Sequence, residues 1–95
     1  MKEETILVVD DNREIVYSIG ELLKYEGYHV LTAYDGMEAL EVLESAEVDL
    51  ILLDVMMPRM DGFTLTRTIR ESGSMLPILM LTAKDMPQDK HTGFI

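Results

Sequence analysis

Three unbroken apolar runs constrain this chain more than any other feature: ILVV at 6–9, LILL at 50–53 and ILML at 78–81. Runs of this length fit strands buried on both faces, which is the habit of parallel sheets. A more mixed stretch, His29–Ala33, better suits an edge strand.

The segments between these runs carry helical periodicity. Within 13–26, Ile15, Val16, Ile19, Leu22 and Leu23 fall on one face, and Gly27 is a stop signal. Asp35 can cap a second helix, with Glu38 at capping-box spacing and Ala39, Leu40, Val42 and Leu43 as the inner face. A third helix is expected over 62–71, with Phe63, Leu65 and Ile69 available for burial and with Gly73 and Pro77 punctuating its exit. Another helix is expected to start around 86–94. Strand and helix alternate throughout, which predicts right-handed crossovers and a doubly wound α/β fold with helices on both faces of a parallel sheet. A length of 95 residues makes one domain at most, spanning 1–95, and there are no repeats or linkers.

Composition excludes several classes of function. Acidic residues number 18 against 8 basic, a net charge of -10, and such a surface repels nucleic acid and anionic membrane. The chain has no cysteine, so it can form no disulfide, thiolate metal site or cysteine nucleophile. The opening MKEET lacks the pattern of a signal peptide, and no apolar stretch approaches the roughly 18 residues of a membrane span. A cytoplasmic protein is expected. The eight methionines read as gap-fillers, while His29, His91 and the tyrosines at 17, 25, 28 and 34 show no functional pattern.

Ligands of an open parallel sheet bind beyond the carboxyl ends of its strands. Asp10, Asp11 and Asn12 follow the first run, Asp54 follows the run at 50–53, and Thr82 follows the last. Each acid taken singly reads as a solvated or capping residue, and Asp10 with Asp11 reads as a cap for the first helix. Taken together they converge on one edge. Carboxylates brought that close repel, which calls for raised pKa values or a hard divalent cation, and Mg²⁺ suits an all-oxygen site. A carboxylate beside such a metal can act as a nucleophile toward phosphorus.

The stretches ILVVDDN, LILLDVMMPRMDG and PILMLTAK, in that order and spacing, resemble the strand-end motifs of the response-regulator receiver domain of two-component signalling. The resemblance covers nearly the whole chain. It implies the flavodoxin-like receiver fold with strand order 2-1-3-4-5 and phosphotransfer from a sensor histidine kinase, switching an output domain that is either fused or separate. Carried over by motif, Asp54 is the phosphoacceptor. Asp11 binds Mg²⁺ directly, Asp10 contributes to the same site, and the backbone carbonyl of Met56 completes the protein ligands. Thr82 is the switch hydroxyl, Pro58 and Gly62 shape the loop after the phosphoacceptor, and Met56 and Lys84 tune dephosphorylation lifetime. The family's fifth strand, with its phosphate-pairing lysine and aromatic, and its fifth helix have no counterpart in the chain. A C-terminally truncated receiver is therefore expected, with the edge Ile78–Leu81 open to self-association.

Three rival functions differ in sequence terms. A phosphatase of the haloacid dehalogenase class places two acids in an Asp-x-Asp pattern on one strand end, whereas Asp10 and Asp11 are adjacent and Asp54 is separate. Nucleotide or flavin binding needs a glycine- or hydroxyl-rich phosphate loop, and Asp10-Asp11-Asn12 carries the opposite charge. A docking module that is not phosphorylated is the third.

Overall fold

The computed structural model of the protein describes residues 4–54 and 62–81. It contains β1 (Thr5–Val9), α1 (Arg13–Tyr25), β2 (His29–Ala33), α2 (Gly36–Ser45), β3 (Leu50–Asp54), α3 (Gly62–Glu71) and β4 (Ile78–Leu81). The four strands form one parallel sheet in the order β2-β1-β3-β4, so β2 lies at an edge as its mixed composition predicts. The described residues hold no fifth strand, and the helix expected at 86–94 lies outside them.

Alternation along each strand builds two cores. Leu7, Val9, Ile51 and Leu53 face α2 and α3, where Ala39, Leu65 and Ile69 complete a buried cluster. Ile6 and Val8 face α1 and bury Val16, with Leu50 and Leu52 only half-buried beside them. The apolar runs are unbroken because β1 and β3 are covered on both sides.

Local chemistry sets the helix ends. Asn12, not Asp10 or Asp11, is the N-cap of α1; its side chain accepts from the N–H groups of Glu14 (2.9 Å) and Ile15 (3.2 Å). Asp35 caps α2 through the Glu38 N–H at 2.9 Å. Glu38 reaches back one residue further than a capping box requires, accepting from the Tyr34 N–H at 2.8 Å. Helices α1 and α3 each end on a glycine with positive φ, Gly27 at 102° and Gly73 at 97°. At both, the next N–H returns to the helix: Tyr28 donates to the Leu23 carbonyl and Ser74 to that of Ile69.

Three apolar residues depart from the expected inner faces. Ile15 is 38% exposed, Leu22 65% and Phe63 60%. Periodicity shows which residues share a helix face, but the sheet decides how wide a strip it covers. Helix α1 settles against β2 through Gly20, where an added Cβ would sit 3.5 Å from Val30 Cγ1. Its inner strip is therefore Val16, Ile19, Gly20 and Leu23, with Ile15 and Leu22 on the flanks. Helix α3 buries Gly62, Leu65 and Ile69, and Phe63 turns away from that line.

Candidate functional site

Strand pairing brings the acids together. The parallel register sets Val9 opposite Leu53, so the next residues, Asp10 and Asp54, are neighbours at the carboxyl ends of β1 and β3. From β1 the chain crosses to β2 on one side, and from β2 it crosses back to β3 on the other, so this pair lies at the topological switch point. Asp54 is the last residue of β3 rather than the first of a loop, and it is paired in register with Leu81 of β4. The rigid central strand thus holds the carboxylate at the sheet edge.

Asp10, Asp11 and Asp54 each offer a carboxylate oxygen, and the three oxygens lie within 4.8 Å of one another. Asp10 and Asp54 are half-buried and Asp11 is exposed. At that separation two charges repel by roughly 3 kcal/mol at an effective dielectric near 20, less where water screens Asp11. Burial pushes the Asp10 carboxyl above its ordinary value of 3.8; the N–H of Asn12, bonded to Asp10 Oδ1 at 3.0 Å, opposes the shift, and the nearby Asp54 and Asp11 add to it. Because Asn12 caps α1, neither Asp10 nor Asp11 is committed to the helix end. The donor set is three hard carboxylate oxygens, which fits a divalent cation of the Mg²⁺ kind.

Of the other expected site residues, Gly62 is the buried first residue of α3, and its carbonyl accepts the Thr66 hydroxyl at 2.8 Å. Met56, Pro58, Thr82 and Lys84 lie outside the described residues. The sequence reading missed one arrangement at the site's margin. Arg13, the first residue of α1, lies over the Tyr34 ring with its guanidinium carbon 3.9 Å from the ring centroid. No local spacing signals that contact, since only the pairing of β1 with β2 brings positions 13 and 34 together.

The family model for the response regulator receiver domain matches residues 6–94. The chain belongs to the response regulator receiver family. It is 48% identical over 88 residues to the response regulator MprA of Mycobacterium ulcerans and 47% identical to that of Mycobacterium tuberculosis, covering 93% of this chain and 38% of each relative. Receiver structures superpose closely. Chemotaxis protein CheY4 of Vibrio cholerae matches with a TM-score of 0.84 at 38% identity, covering 94% of this chain and 76% of that one. Response regulator TrrA of Thermotoga maritima, solved in complex with Mg(2+)-BeF, matches with a TM-score of 0.80 at 40% identity over 84% of this chain and 70% of that one. The chain thus spans less than two-fifths of the length of these curated relatives. It is a receiver domain of two-component signalling with an acidic cluster at the carboxyl ends of β1 and β3. No helix among the described residues is long and apolar enough to cross a membrane.

Proposed function

We propose that, in the cytoplasm, Asp54 takes a phosphoryl group from the phosphohistidine of a sensor histidine kinase, and that Asp10 and Asp11 hold the Mg²⁺ the transfer requires. The observation that carries this reading is the approach of three carboxylates to within 4.8 Å at the ends of β1 and β3. A carboxylate oxygen of Asp54 attacks phosphorus, an O–P bond forms, and the P–N bond to the kinase imidazole breaks, leaving the electron pair on nitrogen. Bound Mg²⁺ supplies positive charge that offsets the carboxylates and the arriving phosphoryl oxygens. The protein's own contribution is positional. Strand β3 fixes the nucleophile, and the Asn12 N–H orients Asp10 through Oδ1. The backbone carbonyl of Met56 completes the metal ligands in this reading, and Thr82 reports the phosphorylated state to an output domain. Pro58 and Gly62 shape the loop between, while Met56 and Lys84 set the lifetime of the phosphorylated form. The domain promotes only its own phosphorylation and dephosphorylation.

Support comes from the family and from the Mg(2+)-BeF complex of the TrrA neighbour. The test is Mg²⁺-dependent binding of beryllofluoride, followed by fluorine NMR. Binding is expected for the protein and its loss for Asp54→Asn. Undiminished binding by Asp54→Asn would overturn the assignment.

Among the described residues β4 is the outer strand, which favours a second copy of the chain as a further partner. Leu79 is 52% exposed there and Met80 37%. Light scattering is expected to show concentration-dependent dimers that Leu79→Lys disperses.

A further inference from the structure

The acid-bearing edge carries a cation that is held beside the carboxylates and not on them. Arg13 is two residues beyond Asp11, so their Cα atoms lie within about 7 Å of each other by chain geometry alone. Arginine and carboxylate pair strongly when they meet. Yet among the described residues the guanidinium of Arg13 makes no ion pair, and it lies 3.9 Å above the centre of the Tyr34 ring.

Tyr34 is itself anchored to the site. Its N–H donates to Glu38 Oε1 at 2.8 Å, and its body packs against the cluster of Ile6, Val8 and Val16. The carbonyl of the preceding Ala33 accepts the Asp10 N–H at 3.2 Å. Arg13 in turn follows Asn12, whose N–H is bonded to Asp10 Oδ1. Each partner in the stack is therefore one residue away from a group bonded to Asp10. The other described cations lie elsewhere: Lys24 and Arg70 in the last turns of α1 and α3, and Arg67 exposed midway along α3.

We propose that the Arg13–Tyr34 stack positions a cation at the rim of the acidic site. There it draws an anionic phosphoryl donor toward Asp54, while the ring keeps it from closing on the carboxylates and displacing the divalent metal. The inference rests on reading Asp54 as the phosphoacceptor. A guanidinium on an aromatic face keeps its full charge, so it still attracts anions that approach the exposed acidic edge. That attraction offsets part of the repulsion an acidic chain of net charge -10 presents to such a donor. The ring is what the device needs, not the phenol oxygen.

Two measurements on the full chain test this: titration with Mg²⁺ alone, and the rate of Asp54 modification by a small acyl phosphate. Tyr34→Phe is expected to match the parent protein. Tyr34→Ala frees the arginine to compete with the metal, and weakens Mg²⁺ binding about threefold or more. The double change Arg13→Ala with Tyr34→Ala restores that affinity, which a merely structural loss at Tyr34 would not do. Arg13→Ala slows the acyl phosphate reaction about three- to tenfold at low salt, and the deficit shrinks as ionic strength rises from about 0.01 to about 0.15 M. Arg13→Lys retains most of the rate. Equal Mg²⁺ affinity in Tyr34→Ala and the double variant, or a parental rate in Arg13→Ala at low salt, overturns the proposal while leaving the phosphoacceptor intact. A parent protein that takes up neither Mg²⁺ nor the phosphoryl group removes both.

Discussion

The two ends of the sheet treat the same side chain in opposite ways. At the amino ends of the strands, Asp49 accepts the Thr5 N–H at 2.8 Å, and its own N–H returns to the Thr5 carbonyl at 2.8 Å. Nearby, Arg70 donates to the carbonyls of Ser74 (3.1 Å) and Leu76 (2.7 Å), pinning the turn into β4. At the carboxyl ends, three carboxylates crowd within 4.8 Å, and burial holds the Asp10 carboxyl above its ordinary value. One end uses an acid to tie backbone together. The other crowds three acids into mutual repulsion that a bound cation would offset. The carboxyl end is thus where the fold concentrates negative charge.

The largest expected effect is one that both ends share. Leu53 is fully buried one residue before Asp54, and Leu53→Ala should lower the unfolding free energy by about 3 kcal/mol in a urea titration. Mg²⁺ binding should weaken with it, since the strand that holds Asp54 is loosened. Unchanged metal affinity would show that the site does not depend on that packing.

The next test uses the metal. Mg²⁺ at about a hundred times its dissociation constant should raise stability by about 2.7 kcal/mol in the parent protein. Asp10→Asn and Asp54→Asn should lose most of that gain, whereas Asp49→Ala should keep it. An equal gain in all the variants would break the contrast between the ends.

Without metal, the sign at Asp10 reverses. Asp10→Asn keeps the oxygen that accepts from Asn12 and removes a repelling charge, so it should stabilise the metal-free protein at neutral pH by about 1 kcal/mol. The folded-state pKa of Asp10 is raised, so below its unfolded value near 3.8 the group is protonated in both states and carries no penalty. As pH climbs through the folded value, the folded chain alone bears the desolvation and repulsion, and this part of the stability is lost. Thermal melts from acid to neutral pH should show that decline in the parent and a flatter profile in Asp10→Asn. The smallest effect belongs to the other end. Asp49→Ala should destabilise by about 0.5 to 1 kcal/mol, opposite in sign to Asp10→Asn.

Much of this was legible in the residues themselves. Unbroken runs marked β1 and β3 because strands packed on both faces have no polar side to show, and the run at 78–81 marked β4 although Leu79 and Met80 are exposed there. Gly27 and Gly73 marked helix ends because only glycine adopts the required positive φ without strain. Asp35 read correctly as a cap, because capping is decided within one turn. The expected roles of Ile15, Leu22 and Phe63 failed because a hydrophobic face is defined by helical period, whereas burial depends on what lies opposite. Asp10 and Asp11 read locally as caps because nothing nearby showed that Asn12 would take that place.

The sequence by itself determined the alternation of strand and helix, the family, and an acid at the end of each of two buried strands. These are short-range matters of side-chain type and spacing. Only the tertiary structure decided that Asp10 and Asp54 face each other across adjoining strands, and that Arg13 lies on Tyr34 instead of on its neighbouring carboxylates. Both depend on which strands pair and in what register. That choice is made by the packing of two faces at once, and no single stretch of chain contains it.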